Sequence, residues 1–106
     1  MRQEHNKLIR DRIPEIIRQT GRKCEVETMS RSEYYQALLN KLIEEAKEAA
    51  EAESNNLVEE LADIYEVIDA ILTNLEIDKD TVLTKQGQKR QEKGGFTNKL
   101  RLLWTE

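Results

Sequence analysis

From Tyr35 onward the apolar residues Tyr35, Leu38, Leu39, Leu42, Ala46 and Ala49 recur every three or four positions, which is the period of an amphipathic helix. Ser30 or Ser32 precedes this run as an N-cap, and Ser30 with Glu33 fits a capping box. A polar break at Ser54-Asn55-Asn56 follows, and Asn56 is a good cap for a second helix. The main apolar face of that helix is Leu57, Leu61, Ile64, Tyr65, Ile68, Leu72 and Leu75. A second stripe, Glu60, Asp63, Val67 and Ala70, runs beside it. Such a helix buries two sides, one within its own subunit and the other against a partner or a ligand.

The flanking segments are weaker in pattern. Residues 1–10 hold a single apolar pair, Leu8-Ile9, and predict an arm or extended segment. Ile13-Pro14-Glu15-Ile16-Ile17 predicts a helix of about two turns, with proline tolerated in the first turn and Gly21 as its stop. Lys23 to Thr28 alternates with a period of two and predicts a brief strand. Phe96 to Trp104 also looks extended, so a two-stranded ribbon leaning on the helices is expected between the two segments. Asp78 or Asp80 starts a last, very polar helix that runs to Lys93 and ends at Gly94-Gly95.

Placing residues at about 100° each around the first long helix exposes a conflict. Glu45 falls inside the apolar stripe, and Glu48 lies at its edge beside Lys41. Ionised groups do not sit there without compensation. The next helix carries a similar pair, Glu60 and Asp63, again three residues apart and therefore on one face. A short connection makes the two helices antiparallel neighbours. Four carboxylates can then converge, and they repel one another unless a cation sits among them. Hard oxygen ligands of this kind suit Mg²⁺ or Mn²⁺. A solvated charged face has the same spacing, and the chain holds 21 acidic residues, so the residues alone leave both readings open.

Two basic segments add to the picture. Lys85, Lys89, Arg90 and Lys93 form one positive helix face just before Gly94-Gly95-Phe96. They suit a phosphate, and they equally suit the negative end of the helix dipole. Lys7, Arg10 and Arg12 offer further phosphate contacts from the arm, or simply keep it solvated. Tyr34, Tyr35 and Tyr65 are expected in the core or a pocket wall. With one cysteine and one histidine, no nucleophile-base-orienter set appears. There is no Walker loop and no dinucleotide fingerprint.

Composition narrows the class. A chain of 106 residues predicts one domain over 1–106, and a domain this small buries only roughly 65% of its unfolded surface, so oligomerisation would help it. The net charge of −4 argues against a nucleic-acid module. The lone Cys24 excludes an intramolecular disulfide and is expected as a small apolar filler, which fits a cytoplasmic setting. No apolar run approaches the roughly 20 residues of a membrane span. The polar start lacks a signal-peptide core.

Leu42 to Glu48 and Glu59 to Asp63 resemble the Glu-x-x-Glu…Glu-x-x-Asp signature of the all-α NTP pyrophosphatases, the MazG-like superfamily. The opening Asn6-Lys7-Leu8-Ile9-Arg10-Asp11-Arg12-Ile13-Pro14-Glu15 and the closing Lys93-Gly94-Gly95-Phe96 look like its short phosphoribosyl-ATP-pyrophosphohydrolase-like branch. The gap between Glu48 and Glu60 is short for the superfamily and implies a tight turn. The resemblance implies an all-α core of about four helices, with room for the small ribbon, assembling as a homodimer or homotetramer. It implies Mg²⁺ held by residues matching Glu45, Glu48, Glu60 and Asp63, with Glu44 as an outer ligand or base. It implies cleavage of a nucleoside triphosphate between its α and β phosphates. On that expectation Glu45 or Glu48 handles the attacking water, and Lys7, Arg10, Lys89, Arg90 and Lys93 hold phosphates. The alternatives are phosphoribosyl-ATP as substrate, or a non-catalytic helical dimer acting as a binding module.

Overall fold

A computed structural model describes residues 2–106 as four helices: α1 (Ile13–Gln19), α2 (Arg31–Glu51), α3 (Leu57–Asn74) and α4 (Lys79–Lys93). The chain is all-α. No strand occurs among the described residues, so the expected ribbon between Lys23–Thr28 and the C-terminal segment does not form. Residues 23–28 have no regular structure, and the C-terminal segment opens with a turn in which the Lys99 N–H donates to the Phe96 carbonyl and Lys99 takes a φ of +60°. The side chains of both segments are almost all exposed, so neither has the helical layer that a two-stranded ribbon must lean on.

Local chemistry explains each helix boundary. Pro14 sits in the first turn of α1, where its missing N–H deprives the helix of no bond. The N–H groups of Thr20 and Gly21 fold back onto the carbonyls of Ile17 and Arg18. Gly21 takes a φ of +82° there, a conformation open to glycine at little cost. Ser30 caps α2 through the full reciprocal box with Glu33. Asn56 occupies the cap position of α3, but its side chain makes no cap bond and its backbone is already helical. Its N–H instead closes the turn onto the carbonyl of Glu53 at 2.9 Å. At the start of α4 the Asp78 carboxylate accepts from the N–H of Asp80.

The extensive helix–helix contact is that between α2 and α3, joined by the short turn 52–56 into an antiparallel hairpin. Leu38 from α2 (2% exposed) and Val67 from α3 are its buried apolar residues. Val67 belongs to the second stripe of α3, so this stripe, with Glu60 and Asp63, is the one turned into the hairpin. The first half of the predicted main face stays open: Leu57, Leu61 and Tyr65 are exposed. Tyr65, expected in a core or pocket wall, is 66% exposed because it lies on that outer side.

Elsewhere the chain is loosely held. Leu8, Ile9, Ile13, Pro14, Ile17 and Cys24 are half-buried, and the Cys24 thiol points to the Pro14 carbonyl at 3.9 Å. The helix α4 buries no residue. Beyond it Phe96, Leu100, Leu102, Leu103 and Trp104 are all exposed. The radius of gyration, 18.4 Å, exceeds the ~13 Å of a compact domain this long. No helix among the described residues is long and apolar enough to cross a membrane.

Because the hairpin has so small an apolar centre, Leu38→Ala should lower stability by about 3 kcal/mol. Ser30→Ala should lower it by only about 1 kcal/mol. Urea unfolding followed by helical circular dichroism measures both, and comparable losses would contradict this ranking.

Candidate metal centre

The hairpin's register brings the acids together. Glu45 lies six residues before the end of α2, and Asp63 six residues after the start of α3. Each is therefore about 9 Å along its helix from the turn, at 1.5 Å per residue. One carboxylate oxygen from each of Glu45, Glu60 and Asp63 lies within 4.8 Å of the other two. Glu44, Glu45 and Glu48 form a second such group on α2. Glu45 belongs to both and is the centre of the arrangement. The four expected ligands are thus split. Glu45, Glu60 and Asp63 meet across the hairpin, whereas Glu48 stands on the exposed rim beside Glu44.

Burial separates the centre from the rim. Glu45 is 5% exposed. Its Oε2 and the Oε2 of Glu60 are both buried with no hydrogen-bond partner in the protein. A buried acceptor without a partner costs about 1–3 kcal/mol, more when charged. Two such atoms, on carboxylates that converge with Asp63, are what an oxygen-liganded divalent cation would satisfy. The donor set fits Mg²⁺ or Mn²⁺. Burial pushes the Glu45 carboxyl above its ordinary range. The neighbouring Glu48 pushes the same way, Lys41 opposes, and Asp63 adds a smaller upward push.

Cations gather at the edge of the cluster. Lys41 Nζ lies 3.5 Å from Glu45 Oε1 and 3.8 Å from Glu44 Oε1. Lys7 Nζ lies 3.8 Å from Glu44 Oε1. Arg10 Nη2 donates to Asp63 Oδ1 at 2.6 Å. The arm therefore crosses the hairpin, with one cation on α2 and one on α3. Helical projection alone places Lys41 beside Glu48. Its spacing of three and four residues from Glu44 and Glu45 is the signal that marks it as their partner. Of the other basic residues, Lys89, Arg90 and Lys93 lie on α4, which makes no extensive contact with α2 or α3. Packing within the chain does not bring them to the acids.

No family model matches the chain, and no solved structure matches it. It is similar to an uncharacterised protein of Mycolicibacterium smegmatis, with 47% identity over 49 residues, 46% of this chain and 50% of that protein. The chain spans about half the length of the curated relative it matches.

The state of Glu45 makes stability depend on pH. Its carboxyl holds a proton more tightly in the folded chain than in the unfolded one. Its contribution is therefore fully present below the ordinary glutamate value and is lost as pH rises through the higher folded one. With metal chelated, Glu45→Gln should remove this fall and raise stability at neutral pH by on the order of 1 kcal/mol. Urea midpoints from pH 4 to 8, wild type against variant, test it. Identical pH profiles would show that Glu45 carries no such strain.

Proposed function

We propose that this chain is a Mg²⁺-dependent nucleoside triphosphate pyrophosphohydrolase, cleaving between the α and β phosphates to give a monophosphate and pyrophosphate. The observation that carries the proposal is the pair of buried, unpartnered oxygens of Glu45 and Glu60 beside Asp63. The resemblance of the paired-acid, opening and closing motifs to the MazG-like pyrophosphatases supplies the reaction.

In this reading Glu45, Glu60 and Asp63 hold the cation, and Glu48 completes the set from the rim. Bound Mg²⁺ supplies a Lewis acid for the phosphates and a lowered pKa for water. Glu48 or Glu45 orients the attacking water and takes its proton. Arg10 and Lys7 already lie against the acids and so stand where a polyphosphate would meet positive charge. Lys89, Arg90 and Lys93 hold the leaving pyrophosphate, and here they enter from a second copy. A homodimer or homotetramer also accounts for the open apolar side of α3 and the bare C-terminal segment, which a lone chain leaves in water.

The same exposed surface favours a second reading, a non-catalytic helical dimer that binds a partner. Divalent metal separates the two, because a cation bound to the folded state alone raises its melting temperature by mass action.

A panel of nucleoside triphosphates, with phosphoribosyl-ATP included, should release pyrophosphate in the presence of Mg²⁺ and none in excess chelator. Glu60→Gln should reduce turnover by at least about a hundredfold with the helical signal retained. Full activity of Glu60→Gln would remove the proposed metal site. Absence of turnover and of any thermal shift with Mg²⁺ or Mn²⁺ would favour the binding module. Sedimentation should give a mass at least twice 12.4 kDa.

A further inference from the structure

The arm and the acid cluster meet through two kinds of atom. On the rim, Asp63 Oδ1 accepts from Arg10 and Glu44 Oε1 faces Lys7. In the centre, the Oε2 atoms of Glu45 and Glu60 have no partner. The arm's cations thus reach the outer acids and leave the buried ones unsatisfied. Lys41, the third cation of the cluster, is on the same helix as its acids, three and four residues before them. Lys7 and Arg10 lie on a segment without regular structure that precedes α1.

We propose that Lys7 and Arg10 are exchangeable counter-ions of the acid cluster, so that docking of the N-terminal arm, anchored on Glu44 and Asp63, and loading of a divalent cation compete for Asp63. The proposal rests on the metal-binding reading above and adds its regulation. Three features support exchange. The arm pairs are half-exposed, and ion pairs of that kind are weak and readily replaced by water. A dication satisfies buried oxygens that neither arm cation touches, so the exchange leaves fewer orphaned acceptors. A guanidinium held 2.6 Å from Asp63 would also lie close to any ion ligated by that carboxylate, and like charges at such range repel strongly where water is partly excluded. Displacement leaves Lys7 and Arg10 tethered at the mouth of the site, charged and without their acids, free to take an anion.

Calorimetric Mn²⁺ titration of the full chain at fixed ionic strength provides the test. It compares wild type, Arg10→Ala, the Lys7→Ala/Arg10→Ala double variant, and Arg12→Ala as control. Arg12 pairs with Glu15 rather than with the cluster. Loss of the arm cations should tighten Mn²⁺ binding at least threefold, and the control should match wild type. In wild type, amide hydrogen exchange at Ile13, whose N–H donates to the Arg10 carbonyl, should quicken when Mn²⁺ is saturating; this readout requires no variant to fold. Equal affinities, or an equal gain in the control, would overturn the latch and leave the metal site standing. Weaker binding in Arg10→Ala would also overturn it, and would make Arg10 a positioning residue for Asp63. Absence of Mn²⁺ binding in every variant would remove the metal site and the latch together.

Discussion

A carboxylate inside an apolar seam is the constraint around which this chain is arranged. Glu45 occupies a position of α2 that helical geometry turns towards α3, where a leucine or alanine would pack without conflict. Its neighbours deepen the problem, because Glu60 and Asp63 approach from the facing helix and Glu44 and Glu48 from its own. Lys41 relieves part of the charge and the arm relieves more at the periphery, yet two oxygens stay unsatisfied. A chain can keep so costly an arrangement when a ligand resolves it. The concentration of charge between α2 and α3, rather than any cavity, is therefore the feature on which the proposed function rests.

Much of this was legible in the residues. Three-four spacing gave both long helices, and the capping box fixed the start of α2. The angular position of Glu45 within an apolar stripe already announced a buried acid. The short break before Leu57 implied an antiparallel pair, and equal spacing from the turn follows from that. Other features depended on tertiary context. Alternation in Lys23–Thr28 carries a period but no partner, and a strand without a neighbour is only extended chain. Two stripes on α3 were visible, but sequence periodicity does not say which of them faces α2. The pairing of Arg10 with Asp63 spans 53 residues, beyond the reach of any local rule. Glu48 shares its spacing with Glu45, but a step of about 300° around the helix carries it to the solvent edge.

The distribution of apolar surface separates the architecture into a formed part and an open part. The α2–α3 hairpin has its own seam and its own acid layer. By contrast, α4 and the segment from Phe96 to Trp104 bury almost nothing within the chain. Gly94, with a φ of +83°, ends α4 and redirects the segment that follows. Aromatic and leucine side chains left in water at this density have no stabilising role in an isolated chain, and the proposed second copy gives them one.

The compactness of the acid layer in sequence has a kinetic meaning. Glu45 and Asp63 are only 18 positions apart, across a five-residue turn, so closing that loop demands little chain entropy. The arm must instead travel from the other end of the chain to reach Asp63. Local contacts of low sequence separation form fastest. The three converging acids, with Lys41 beside them, should consequently be assembled while residues 2–12 are still searching, giving an ion its earliest opportunity before the arm's cations arrive.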